Sequence, residues 1–256
     1  MEVHSHSHTE RKKWTHYFWE FLMLFLAVFC GFLAENFREH QLEKSRAKQY
    51  ISSLYEDLKN DTIRLNGIIA YDEDKVPVLN GMDDCFDAIA KDPRATSCMS
   101  VLIKYSRTSR AFSITDRTIR QLANSGGYRI LSREDADSII GYENLFKEYE
   151  NFQTTIFQGS QDNVRNTLNL VANFKAIRLL LKNPSSSQGI ISVTDTIPVA
   201  INGPLLIADD RVLLNKWFNE LSLYARVTAA QRRNLLGLKE KANDLILYFS
   251  KKYGLK

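Results

Sequence analysis

The chain has 256 residues, with 34 Lys and Arg against 30 Asp and Glu and a net charge of +4. So even a balance makes no one-sign field over the surface and argues against nucleic acid as a partner. Setting aside about 36 residues for a tail and an apolar run leaves about 220, enough for one good-sized domain or an elongated bundle.

Residues 1–13 read as a polar, disordered cytoplasmic tail, MEVHSHSHTE followed by Arg11-Lys12-Lys13. His4, His6 and His8 alternate. That spacing offers imidazoles weakly to a transition metal, and a plain polar tail looks the same. Residues 14–34, WTHYFWEFLMLFLAVFCGFLA, form the transmembrane candidate. As a helix the run is about 31 Å long, against about 30 Å for a hydrocarbon core. Phe21 to Ala34 holds no charge and no proline, and Trp14, Tyr17 and Trp19 mark a headgroup belt. An A-x-A-like cleavage site is missing and the helical pattern continues through Glu35-Asn36-Phe37-Arg38, so an uncleaved signal anchor in a lipid bilayer is expected. Cations abutting its start orient the amino end to the cytoplasm and residues 35–256 outside it.

Glu20, Ala27, Gly31 and Ala34 fall on one face of this helix, at steps of seven, four and three. Small residues four apart let two helices approach closely, so this face is the candidate for transmembrane self-association and a homodimer. Small residues are also simply common in membrane helices.

A helix is expected to continue over residues 35 to about 70, because Leu42, Tyr50, Ile51, Leu54, Leu58, Leu65, Ile68 and Ile69 recur at helical steps. Asp72-Glu73-Asp74 and Asp83-Asp84 lack the alternation and glycine of a calcium loop and read as solvated helix faces. Pro77 is expected to start or kink a further helix through Met82, Phe86 and Ile89. Of the three cysteines, Cys30 lies in the apolar run; Cys85 and Cys98 follow it. Outside the cytoplasm these two would bridge around Lys91-Asp92-Pro93-Arg94; two free buried thiols are the alternative. Lys104, Arg107 and Arg110 lie among hydroxyls and aromatics in SVLIKYSRTSRAFSI. They make either a patch for an anionic ligand or lipid, or the wet side of a connecting helix.

Thr115 is placed to cap a short helix carrying Ile119 and Leu122, which Asn124-Ser125-Gly126-Gly127 would stop. Gly126-Gly127 is no phosphate loop, since the lysine and remaining glycines of that motif are missing. Ser132 then caps a helix expected from about Arg133 to Leu181, with a break near Gly159. A turn-rich loop at residues 183–189 leads to Ile190–Ile201, where partial alternation around Pro198 predicts an extended arm or short edge hairpin. Asp209 to Lys252 carries a second long helical pattern: Leu213, Trp217, Leu221, Tyr224, Thr228, Leu235, Leu238, Ala242, Leu245 and Phe249. It would pack antiparallel to the first long helix, and Lys251-Lys252 at its end would meet anionic headgroups.

The fold class expected is therefore all-α: a transmembrane helix continuing into an elongated antiparallel helical bundle. The HSHSH tail, RKKWTHYFWEFLMLFLAVFCGFLAEN, YISSLYEDLKND and QLANSGGYRIL with the later SIIGYE resemble a family of bacterial single-pass membrane proteins of uncharacterised activity. The resemblance covers about residues 1–150. It implies one anchor, a helical domain and residence in the bacterial inner membrane, with the bulk of the chain in the periplasm.

Beyond the tail only His16 and His40 remain, and no nucleotide loop, G-x-S-x-G or H-E-x-x-H is present. A protein without catalytic activity or cofactor is expected. It would act as a membrane-anchored interaction or scaffold protein with a protein partner in the envelope. The alternative is a ligand-binding or sensor bundle signalling through a membrane partner. A polar interhelical pocket would favour the sensor, and a dry, packed interior with an exposed apolar patch the scaffold.

Overall fold

A computed structural model describes residues 14–92, 97–180, 205–207 and 210–255. The described residues are helical, with no strand among them, as expected of an all-α chain. The chain divides into two units, residues 1–50 and 51–256.

Helix α1 (Trp14–Asn80) begins in the first unit. Its amino-terminal part is long and apolar enough to cross a membrane, and none of that apolar window is buried within the protein. Phe21, Leu24, Val28 and Phe32 all stand exposed there, and His16 Nδ1 lies 3.8 Å from Glu20 one turn on. Gly31 has open space around it, as the whole of this unburied stretch does.

The second unit has its own core. From Ile51 onward α1 buries Leu54, Leu58, Leu65, Ile68 and Leu79. The helix runs on to Asn80 and carries Pro77 within its last turns; the expected stop near 70 does not occur. Its end comes at Gly81, whose N–H donates to the Pro77 carbonyl at 3.0 Å. Pro77 has no N–H to offer the Glu73 carbonyl and its ring crowds that carbonyl, so its cost falls on the turn before it while the helix continues to Asn80. Helices α2 (Met82–Lys91) and α3 (Met99–Arg107) follow, joined by the Cys85–Cys98 disulfide with Cα atoms 5.6 Å apart. Closing so short a loop restricts the unfolded chain, so Cys98→Ser is expected to lower stability by about 3 kcal/mol. The check is a fall in the urea midpoint that added reductant reproduces in the unsubstituted protein.

Residues 108–116 have no regular secondary structure and form a connecting segment, and α4 (Arg117–Asn124) follows. Thr115 does not cap it: its hydroxyl and N–H both go to Asp61 on α1, a stronger, charged acceptor. Gly126 takes φ +67°, the left-handed conformation that ends α4, and a short 3₁₀ turn covers Gly127–Ile130. Ser132 caps α5 (Arg133–Asn151) by accepting the Asp135 N–H.

No break occurs at Gly159. The irregularity comes earlier, as a π turn over Phe152–Phe157, where the Thr154 and Thr155 hydroxyls donate back to carbonyls of the preceding turn. Helix α6 (Gln158–Val171) continues from it and stops at Ala172. There the backbone leaves the helix to pair with residues 205–207: Asn173 N–H donates to Leu205 O at 2.7 Å, and Ile207 N–H to Val171 O at 2.9 Å. A short α7 (Phe174–Leu180) follows. Ile190–Ile201 lies outside the described residues.

Helix α8 (Arg211–Tyr253) opens on Asp210, whose carboxylate accepts the N–H groups of Val212 and Leu213, and closes on Gly254 at φ +66°. It runs antiparallel to α5 and α6, since Asp135 meets Tyr248 and Lys252 while Thr167 meets Lys216. Asp61 meets Tyr142, Lys75 lies by Phe157 and bonds Tyr224, and Glu73 pairs with Arg232, so residues 51–80 of α1 run parallel to α5 and antiparallel to α8. Trp217, Leu221, Tyr224, Phe157, Val164 and Leu168 fill the core between these helices together with α2 and α3.

Candidate functional site: an arginine-lined groove

Helix α3 ends at Thr108, whose N–H and hydroxyl both return to the Lys104 carbonyl. Hydroxyl side chains compete for the helix backbone in this way and help the chain leave the helix. The connecting residues Thr108–Ala111 then lie beside α1 and α6, and a groove of about 620 Å³ opens between them. Ile63, Arg64, Gly67, Ile68 and Tyr71 line it from α1, Arg107 to Ala111 from α3 and the connecting segment, and Arg165 from α6. Four arginines face it and no carboxylate is among its lining residues.

Each guanidinium is held in place. Arg110 lies over the Tyr71 ring, 4.7 Å from its centroid, and donates to the Gly67 carbonyl at 3.2 Å. Arg64 lies over Phe112, donates to Ser113 Oγ at 3.0 Å and comes within 3.6 Å of Asp61. Arg107 donates to Asn169 Oδ1 at 2.9 Å, and Arg165 to the Arg107 carbonyl at 2.7 Å. Burial, and then the neighbouring Arg165 charge, pulls the Arg107 pKa down. A site of this kind, with fixed forked donors and partial exclusion of water, suits an anion.

A buried polar layer underlies the groove. Tyr71 hydrogen-bonds Thr108 through their hydroxyls. Lys75 is fully buried and donates to the Thr108 carbonyl at 2.9 Å and to Tyr224 Oη at 2.6 Å, among the rings of Tyr71, Phe157 and Tyr224. Gln161 extends the layer: its amide donates to Tyr224 Oη at 2.9 Å, and its oxygen accepts from Ser109 at 3.0 Å. Asp72 is buried too, 1% exposed, within the fields of Lys75, Arg232 and Arg110. Burial pushes the Asp72 carboxyl above the usual carboxylate range and pulls the Lys75 ammonium below its usual value, and the charge of each offsets part of the other's shift. The solvated-face reading therefore fails for Asp72 and holds for Glu73, Asp74, Asp83 and Asp84, which are exposed.

Arg107 and Arg110 both line the groove, whereas Lys104 is buried and does not line it. Arg64 and Arg165 come from distant parts of the chain, which local spacing does not reveal. Lys252 is not free for headgroups: it donates to Asp135 at 2.8 Å and to Ser132 and Tyr248. Burial pushes Asp135 up, but the bonds from Lys252, Ser132, Tyr253 and Tyr248 together bring it below the usual carboxylate range. His4, His6 and His8 lie outside the described residues, among which no group of three or more His, Cys, Asp or Glu is placed to hold a metal ion. No family model matches the chain, and neither does any curated protein or solved structure.

Proposed function

We propose that this chain is a single-pass, membrane-anchored protein whose helical domain lies outside the cytoplasm and binds an anionic ligand, without catalysing a reaction. The observation that carries the reading is the groove: four positioned arginines, with no carboxylate lining, in a space of about 620 Å³. That volume falls within the roughly 300–1,000 Å³ of small-molecule pockets. An arginine-lined pocket between helices favours the ligand-binding reading over the scaffold. Membership in the family of single-pass bacterial membrane proteins is part of the proposal, as is the inner-membrane location. The apolar start of α1 supports the anchor, and the Cys85–Cys98 bridge supports an oxidising compartment.

The test uses the full chain in detergent micelles, heated with and without millimolar benzoate or phenyl phosphate. A ligand at 100 times its Kd adds about 2.7 kcal/mol of stability, so the unfolding midpoint should rise with at least one anion. Arg110→Gln should remove most of that rise. A midpoint indifferent to every anion would overturn the reading. Orientation is tested separately with single cysteines at Ser7 and Ser186 and an impermeant maleimide on intact cells; labelling at position 7 alone would reverse it.

A further inference from the structure

Resting on that anionic reading, we infer that the groove takes a phosphate monoester, its dianionic head held between Arg107 and Arg165 and an apolar body lying along Ile63, Gly67 and Ala111. The charges around the groove are unevenly met. Arg64 has Asp61 within 3.6 Å, and Arg110 has the buried Asp72 in its field. Arg165 reaches the Arg107 backbone carbonyl at 2.7 Å, its charge acts on the Arg107 guanidinium, and both side chains are half-buried. The carboxylate near them is Asp162, half-exposed and 3.6 Å from Arg165. Two guanidiniums sharing one weakly placed counter-charge repel each other. An anion set between them removes that repulsion, and a doubly charged one removes more of it than a carboxylate.

A phosphate monoester is close to doubly charged at neutral pH and presents three acceptor oxygens to forked donors. The rest of the lining limits the ligand further. Ile63 is exposed on α1, Ala111 is exposed opposite it, and Gly67 presents no side chain between them. An aliphatic or aromatic body next to the head would cover these atoms, whereas inorganic phosphate would leave most of the groove wet.

The experiment is calorimetric titration of the full chain in phosphatidylcholine nanodiscs. Phenyl phosphate and benzoate share one apolar body and differ in charge. Phenyl phosphate should bind about tenfold more tightly than benzoate, the worth of about one charge-assisted hydrogen bond. Arg165→Gln should bring the two affinities together, and Arg165→Lys should restore part of the difference. Equal affinities in the unsubstituted protein would overturn the dianion clamp and leave an anionic groove standing; binding of neither would overturn both. Nanodiscs containing phosphatidic acid separate the sources. Competition lost in Arg165→Gln assigns the ester to a lipid headgroup, and unchanged phenyl phosphate binding assigns it to a soluble molecule. Either result supports the clamp.

Discussion

Replacing Lys75 by Met is expected to lower the unfolding free energy by about 3–5 kcal/mol, the usual effect of removing one partner from a buried charge pair. Lys75 has no exposed surface, bonds Thr108 O and Tyr224 Oη, and balances the buried Asp72 carboxylate. Without it Asp72 retains the fields of Arg110 and Arg232, the Thr108 carbonyl loses its donor, and Tyr224 Oη keeps one donor, the Gln161 amide. Urea denaturation of the full chain measures the loss. Adding Asp72→Asn should recover much of it, because an apolar or neutral pair of similar volume is often as stable as the ions it replaces. A single substitution costing under about 1 kcal/mol would show that the pair does not hold this layer together.

Asp61→Ala is the second large effect expected, about 4 kcal/mol from several charge-assisted bonds lost at one buried point. Asp61 is 1% exposed and joins three parts of the second unit. It accepts the Thr115 N–H at 3.0 Å, the Thr115 hydroxyl at 2.7 Å and the Tyr142 hydroxyl at 3.2 Å, with Arg64 at 3.6 Å. Alanine would strand the tyrosine hydroxyl and loosen the connecting segment that carries Ser113 and the groove wall. Asp61→Asn keeps the volume and one acceptor and should cost about half as much. Hydrogen exchange at Thr115 N–H gives an independent readout, accelerating in Asp61→Ala even if global stability is compensated elsewhere.

Most of the fold is legible from one repeat. On α1, Ile51, Leu54, Leu58, Asp61, Leu65, Ile68, Asp72, Lys75 and Leu79 alternate steps of three and four, and all are buried. On α8, Leu214, Trp217, Leu221, Tyr224, Thr228, Gln231, Leu235 and Leu238 do the same. Apolar members of these rows identify the helices and the antiparallel packing. Their polar members, Asp61, Asp72, Lys75 and Gln231, mark the buried layer but look like interruptions when hydrophobicity alone is followed. Read by position, a charge in a core slot signals a partner brought from elsewhere. The groove was half legible: Arg107 and Arg110 are neighbours in the chain, whereas Arg64 and Arg165 reach it only through tertiary packing. Thr115 shows the converse error, since a good local cap was available but a buried carboxylate across the fold offered more.

The π turn at Phe152–Phe157 explains why α6 can serve the groove at all. Up to Tyr149 the inward residues of α5 step as Asp135, Ile139, Tyr142, Phe146 and Tyr149; after the turn they step as Phe157, Gln161, Val164, Leu168 and Val171. The second series lies one position later than the first one, carried forward, would place it. Residues 152–157 thus absorb one surplus amino acid, with Thr154, Thr155 and Ile156 turned to the exposed side. Wound as an ordinary α-helix, the same stretch would rotate everything downstream by about 100°. Asn163 and Leu170 would then face the core, and Arg165 would leave the groove. A chain one residue shorter at this point would present the same side chains through an unbroken helix, so the widened turn acts as a phase correction rather than a hinge.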